Sequence, residues 1–396
     1  MVRSIAKYFI SFLIAPFIKD ARKTIGVDMF STLKHPEYND LYKEKAIDLA
    51  VDWLIHSQQN MKDAGFGSYH LIKGWTSSYP ETSGYIIDTL LKYAKIRDNQ
   101  EIVKKCIECA DWLLKIQKKS GGWQSMTINH DKPEVIFNTG QVIRGVYAVY
   151  LVTNNEKYLT ACVRALDWLC DTQDNDGAWR KHAFMNVERV YDSYVDAPML
   201  LVNNSLNKEV YHKKAIDNLN WIINTKQLGN GWFSDCDNTI HKNQKPIMHT
   251  IAYTIDGLLD SAVHSGESRF FDAGRKPAEK LLDLFLTSGK LYGRYDANWE
   301  GSEHPILTGC AQISICWMKI YMETKEDRFL TGAVKMNKFL LSAQRRTLKG
   351  TKRTKGAITG SYPVWGRYES FACPNWATKY FIDAITLELS ITKSRS

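Results

Sequence analysis

Six segments of the chain place apolar residues at three- and four-residue spacing and share a similar ending. They begin with "KAIDLAVDWLIHSQ" (45–58), "VKKCIECADWLLKIQ" (103–117) and "YLTACVRALDWLCDTQ" (158–173). "KKAIDNLNWIINTK" (213–226), "AGRKPAEKLLDLFL" (273–286) and "GAVKMNKFLLSAQ" (332–344) continue the series less regularly. The spacing predicts amphipathic helices with one buried stripe each. A glycine-containing corner follows every one: "GFGSYH", "SGGWQS", "DGAWRKH", "GNGWFS", "GKLYGRY" and "GAITGSYPVW". Glycine there permits positive φ after a helix end, and the aromatic packs back over it.

A more uniformly apolar segment comes after each corner. The first three are "PETSGYIIDTLLKYAKI" (80–96), "VIFNTGQVIRGVYAVYLVT" (135–153) and "YVDAPMLLVNNSL" (194–206). The last three are "HTIAYTIDGLLDSAV" (249–263), "TGCAQISICWMKIYME" (308–323) and "PNWATKYFIDAITLEL" (374–389). Apolar residues on more than one face predict helices covered from both sides. Trp53, Trp112, Trp168 and Trp221 lie 59, 56 and 53 residues apart, longer than a two-helix solenoid repeat of about 34 residues. Six outer helices thus alternate with six inner ones, and after Leu389 no segment remains to cap an open stack. The expected fold is all-α: an (α/α)6 toroid of six outer/inner pairs over residues 38–396, preceded by an amphipathic N-terminal helix within residues 1–37.

That N-terminal segment holds an apolar run, Tyr8–Ile18, flanked by Arg3, Lys7, Lys19, Arg22 and Lys23. The run is short of the roughly 20 residues of a membrane span and has no small-residue cleavage site after it. Residues 1–23 are expected to lie on an inner-leaflet membrane surface or to dock on the domain, in a cytoplasmic, peripherally bound protein. Composition is that of a globular chain, 44% hydrophobic and 24% charged. The 12 Trp and 20 Tyr suit surfaces that stack on sugars, and the formal charge of +9 favours anionic partners. No Lys/Arg block carries a nucleic-acid-binding signature, so no nucleic acid is expected. Of the eight cysteines, Cys106 and Cys109 form a CxxC without a second zinc-spaced pair. Free thiols in a reducing compartment, no metal and no cofactor are expected.

In a closed toroid the inner helices run the same way, so their N-termini and preceding loops converge on one mouth that favours anions. Residues there are the default site. Glu81, Asp192, Asp196, His249 and His304 are the acid–base candidates. Trp75, Tyr79, Asn138, Gln141, Arg144, Tyr194, Tyr253, Trp299, Gln312, Asn375, Trp376 and Lys379 are the candidate substrate-binding residues. Carboxylates or His/Tyr as acid and base, aromatic platforms, and Arg/Lys for an acidic group suit sugar chemistry. Each has a structural alternative: Glu81, Asp192 and Asp196 as first-turn or cap acids, His249 as a core histidine, His304 as a loop-to-helix cap. Lys379 resists the bland reading, because an apolar helix seldom tolerates an unpaired ammonium. Walker A, GxGxxG, HExxH and GxSxG motifs are absent from the sequence, as are clustered aspartates of the DDxxD or DxDD kind.

"YPETSGYIIDTLLKYA", the GGW, GAW and GNGW corners, "HTIAYTIDGLLDSAV" and the closing "GSYPVWGRYESFACPNWATKYFIDA" carry a resemblance over residues 45–390. Together they resemble toroidal proteins associated with bacterial surface-polysaccharide biosynthesis. Those are grouped with the prenyltransferase/squalene-cyclase repeat and are similar in architecture to six-hairpin glycosidases, uronyl C5-epimerases and N-acylglucosamine 2-epimerases. The resemblance implies envelope glycan assembly and assigns no residue a role. Three readings stay open. The first is an epimerase, lyase or glycosidase acting on an acidic or lipid-linked glycan. The second is a non-catalytic glycan-binding or scaffold subunit of a biosynthetic complex. The third is a terpenoid or prenyl-chain toroid enzyme, with aromatics to stabilise carbocations.

Overall fold

The structure is a computed structural model and describes residues 9–11, 13–30, 37–239, 242–348 and 350–394. Part of the expected N-terminal amphipathic helix, residues 1–8, 12 and 31–36, lies outside the described residues. What is described of it is a 3-10 turn, Ala15–Phe17, and helix α1, Lys19–Phe30. Outer helices are α2 (Asp40–Gln59), α4 (Gln100–Ile116), α6 (Glu156–Thr172), α8 (Glu209–Trp221), α10 (Ser268–Ser288) and α12 (Asp327–Leu348). They alternate with inner helices α3 (Pro80–Arg97), α5 (Ile136–Thr153), α7 (Ser193–Leu206), α9 (Met248–Ser265), α11 (Leu307–Thr324) and α13 (Asn375–Lys393). Each inner helix packs on the inner helix before and after it, and α13 packs on α2 and α3. The chain is an (α/α)6 toroid, closed as its repeats predict.

Closure is specific. Asn375, at the head of α13, donates to Phe66 O at 3.1 Å, Thr89 of α3 donates to Asp383 of α13 at 2.8 Å, and Lys43 of α2 pairs with Glu388 at 2.8 Å. Between α3 and α5 the backbones touch: a Cβ on Gly145 would stand 2.0 Å from Gly84 O, so the crossing requires glycine.

The repeated helix ends have a shared task. Five outer helices finish on a glutamine whose amide donates to a backbone carbonyl of the next outer helix. Gln58 reaches Lys105 O (3.1 Å), Gln117 reaches Ala161 O (2.9 Å), and Gln173 reaches Lys214 O (2.8 Å). Gln227 reaches Ala273 O (2.8 Å), and Gln344 reaches Ala46 O (2.9 Å), joining the last outer helix to the first. Gln227 stands six residues after its tryptophan, Trp221, where Gln58, Gln117 and Gln173 stand five after theirs. A single π turn, Ile222–Lys226, takes up the additional residue and keeps the amide on target. The α10–α12 junction uses surface ion pairs instead, Arg275–Glu326 and Arg328–Asp283.

The corners repeat their own bonds. The indoles of Trp123 and Trp179 donate to Leu113 O and Leu169 O, ten residues back in both cases. Hydroxyls in the first turn of inner helices accept a corner N–H: Ser83 from Phe66, Thr139 from Trp123, Thr378 from Ile358. The Asp of the Asp-Trp-Leu motif accepts from a tyrosine of the next outer helix, Asp111 from Tyr158 and Asp167 from Tyr211.

Gln344 also donates to Gly356 O, as Gln117 does to Gly121 O, so Gln344→Leu and Gln117→Leu each remove two hydrogen bonds, and only the first of them breaks the ring-closing one. Urea unfolding should show each variant less stable by about 1–3 kcal/mol, with the larger loss for Gln344→Leu. Equal losses would mean that closing the ring places no special demand on Gln344.

Candidate active site

All six inner helices start at one end, and their second residues form an upper tier: Glu81, Phe137, Tyr194, His249, Thr308 and Trp376. One turn down, the sixth residues form a lower tier: Tyr85, Gln141, Pro198, Tyr253, Gln312 and Tyr380. Contacts between helices that are not ring neighbours place these side chains in the lumen. Tyr380 donates to the Tyr194 hydroxyl at 3.2 Å, and the rings of Phe137 and Tyr253 lie 4.9 Å apart. Tyr85, Tyr194, Tyr253 and Tyr380 form a buried floor, with ring centroids 4.8–5.9 Å apart between contacting partners.

Above the floor stand Glu81 and His249, 9% and 8% exposed. Burial raises Glu81 to about 7, opposed by a hydrogen bond from Tyr79 that favours the anion. Its charge is felt by Tyr253, Tyr85, Tyr191 and Tyr368, which places it among them. Burial lowers His249 to about 4, opposed by its bond to Gln312. Nδ1 of His249 meets Gln312 Oε1 at 2.7 Å. With the Gln312 amide in this orientation its oxygen accepts, which assigns the proton to Nδ1 and leaves the lone pair on Nε2. The imidazole lies 4.5 Å from the Tyr253 ring and 5.6 Å from the Tyr368 ring. Tyr368 accepts from Trp376 Nε1 at 3.0 Å, and Trp376 meets Tyr79 edge-on at 6.5 Å. Asn138 completes this side, donating to Gln124 O at 3.1 Å and bonding Tyr79. The mouth thus holds a carboxyl that titrates near neutrality and a neutral imidazole beside the same tyrosines, Tyr253 and Tyr368, groups suited to proton transfer.

The remaining candidates lie elsewhere. Asp196 is the fourth residue of α7, as Ser83, Thr139 and Thr378 are of α3, α5 and α13. It thus takes the register of the corner-anchoring hydroxyls, and both its oxygens are buried without a partner. Burial, then Asp192, raises Asp196 well above the carboxylate range. Asp192 is raised to about 8 by burial, with Arg189 opposing. Trp75 packs on Trp53 of α2 at 5.8 Å and Tyr69 at 5.0 Å, in the hairpin of β1 (Tyr69–His70) and β2 (Gly74–Trp75). Trp299 covers Tyr295 at 6.0 Å and donates to Asn230 O, beside the hairpin of β3 (Arg294–Tyr295) and β4 (Gly301–Ser302). His304 is exposed beside a cavity of about 330 Å³ lined by Phe339 and Tyr362 on the outer wall. Asn375 closes the ring.

Arg144 and Lys379 lie under the floor rather than in the mouth. Arg144 stacks on Tyr194 at 3.9 Å and bonds Gln141 Oε1 and Tyr194 O, and Gln141 donates to the same carbonyl. Lys379 stands 3.8 Å from the Tyr380 ring centre and pairs with Asp383 at 2.7 Å. With Asp88, Asp256, Asp260 and Lys319 they line a cavity of about 390 Å³ at the opposite end of the lumen. Its charges compensate: Lys319 pairs with Asp256 and Asp260, and Lys92 with Asp88. The sequence-derived candidates include Tyr194 and Tyr253 of the floor and Arg144 and Lys379 of the chamber but not Tyr85, Tyr380, Asp88, Asp256, Asp260 or Lys319, though "ETSGY", "HTIAY" and "WATKY" repeat a tyrosine four residues after the mouth residue. Among the described residues no cluster of His, Cys, Asp and Glu is placed to hold a metal ion.

The sequence profile of the squalene-hopene cyclase C-terminal domain matches residues 23–196. No curated protein matches the chain in sequence. Among solved structures, an unsaturated glucuronyl hydrolase specific for heparin superposes with a TM-score of 0.71 at 15% identity, over 90% of this chain and 99% of that one. A sugar epimerase from a ruminal bacterium gives 0.66 at 11% identity, over 87% and 97%. A polysaccharide lyase gives 0.65 at 13% identity, over 89% and 98%. All share the toroid fold with this chain.

Glu81 and His249 tilt stability in opposite directions. Glu81 is raised above its ordinary 4.5, so the native state holds the extra proton and stability falls from pH 4.5 to 7. His249 is lowered below 6.5, so the unfolded state holds the extra proton and stability rises from pH 4 to 6.5. Each contribution is about 3 kcal/mol. In urea titrations at pH 4.5 and 7, stability should rise with pH more in Glu81→Gln than in the parent, and its change with pH should be more downward than the parent's in His249→Gln. Parallel pH profiles for the parent and both variants would contradict the buried, shifted pair.

Proposed function

We propose that the protein is a carbohydrate-active enzyme that moves a proton to or from a sugar ring at the mouth. It acts on an acidic or lipid-linked glycan during assembly of a bacterial envelope polysaccharide. The observation that carries this reading is the pair of Glu81 and His249 above the tyrosine floor. Glu81 serves as the acid and His249 Nε2 as the base, while Trp376, Tyr79 and Tyr368 offer faces for a sugar ring. Epimerisation or elimination fits better than hydrolysis of a glycosidic bond. Hydrolysis commonly uses two facing carboxyls, and the two tiers of the lumen contain one, Glu81. The likeness to a glucuronyl hydrolase, a polysaccharide lyase and a sugar epimerase supports a glycan as substrate. The overall charge of +9 supports an acidic one.

That single carboxyl also favours a second reading, a glycan-binding subunit without activity. Mass spectrometry of the surface polysaccharide from strains carrying Glu81→Gln or His249→Ala separates the two. The enzyme reading expects a changed sugar configuration or new unsaturation, with product formation reduced about 10²-fold or more. A normal polymer in both variants, in a strain where gene deletion abolishes it, would assign the protein to the non-catalytic role.

A further inference from the structure

Helix α1 is fixed to the mouth end of the toroid by buried charge. Asp28 accepts two bonds from Arg346, at 2.6 and 2.8 Å, and one from Val364 N at 2.7 Å. Asp20 accepts from the Tyr69 hydroxyl at 2.9 Å and pairs with Arg353 at 3.1 Å. Val364 belongs to the loop whose Tyr368 faces His249. Tyr69 belongs to β1, which pairs with β5 (Ala372–Cys373) at the entry to α13. The chain just before α1 turns outward. Phe9, Ile10, Leu13, Ile14 and Phe17 are 44–87% exposed. Single exposed apolar side chains are ordinary on a protein surface, but five within nine residues form a ridge.

Cations border that ridge from two distant parts of the sequence. Lys19 and Arg22 are exposed at the start of α1. The Arg353–Asp20 pair brings in the loop after α12, where Lys352 and Lys355 are exposed, and Trp53 Nε1 holds the loop through Arg353 O at 2.8 Å. We propose that Ile10, Leu13, Ile14, Phe17, Lys19 and Arg22 form, with Lys352 and Lys355, one docking surface for an anionic lipid bilayer, which turns the mouth end of the toroid toward the membrane. Apolar side chains would enter the headgroup–acyl boundary while the cations meet anionic headgroups. A second copy of the chain fits poorly, because it would set the same cations face to face. No described helix is long and apolar enough to cross a membrane, so the contact is interfacial. The docking does not depend on which reaction the mouth performs.

Co-sedimentation of the full chain with phosphatidylcholine vesicles, with and without phosphatidylglycerol, tests this. The wild type should pellet with the anionic vesicles and roughly tenfold less with the neutral ones. Leu13→Glu/Phe17→Glu should abolish binding and Lys352→Glu/Lys355→Glu should weaken it on anionic vesicles. All four side chains are exposed, so both variants should fold. Glu81→Gln should bind as the wild type does, which separates docking from the active-site reading. Wild type left in the supernatant with both vesicles, or Leu13→Glu/Phe17→Glu pelleting like wild type, would overturn the proposal. So would a wild-type dimer in light scattering that Leu13→Glu/Phe17→Glu converts to monomer, which would make the ridge an interface between copies.

Discussion

A wall built only of helices has a weak point wherever one helix must hand its neighbour a hydrogen bond, because helices satisfy their backbone internally and offer little sideways. In this protein the primary amide of a glutamine bridges that gap. It leaves the last part of one outer helix and binds a carbonyl in the second turn of the next, five times around the ring. A carbonyl has two lone pairs, so the acceptor keeps its helical bond and takes the amide as well. These bonds set the angular step between pairs, and the step decides whether six pairs meet. The last of them, Gln344 to Ala46, spans 298 residues of sequence. The inner ring depends on that step, since the lumen tiers align only if each inner helix is rotated equally from the last.

Much of this architecture is legible in the sequence, because its signals are local. Outer and inner helices, glycine corners and aromatic packing each follow from spacing within some fifteen residues. The Asp-Trp-Leu and Gly-Xaa-Trp elements mark the repeat. Their meaning, however, lies in bonds to other repeats, such as Asp111 to Tyr158 and Gln117 to Ala161. The site was legible by position and less so by direction. Glu81 and His249 occupy the same helical position and both face the lumen. Asp196 sits two residues deeper, roughly on the opposite side of its helix, in the register of the corner-anchoring hydroxyls. Trp75 and Trp299 precede inner helices in the chain, yet Trp75 turns onto Trp53 of α2 and Trp299 onto the corner residues Tyr295 and Asn230. Loop position does not encode which way a hairpin lies.

The two ends of the lumen are built on different physics. The mouth holds few ionisable groups, each shifted by burial, and so keeps chemical options open near neutral pH. The opposite chamber holds many charges, each matched by a partner a few ångströms away. Such matched charges satisfy a polar cavity without requiring a ligand. They also hold the tyrosine rings from below, through Arg144 under Tyr194 and Lys379 under Tyr380.

The buried tyrosine floor makes the toroid a cup and not a pipe. Four phenol rings lie between Glu81 and the chamber at the opposite end, so a molecule that reached Glu81 from the mouth could not pass along the axis and would leave by the way it came. A long polymer could not be threaded along the axis. If the mouth takes a glycan, as proposed, only a chain terminus, a side branch or a short oligomer would fit, and the chain would have to be released and recaptured for every round.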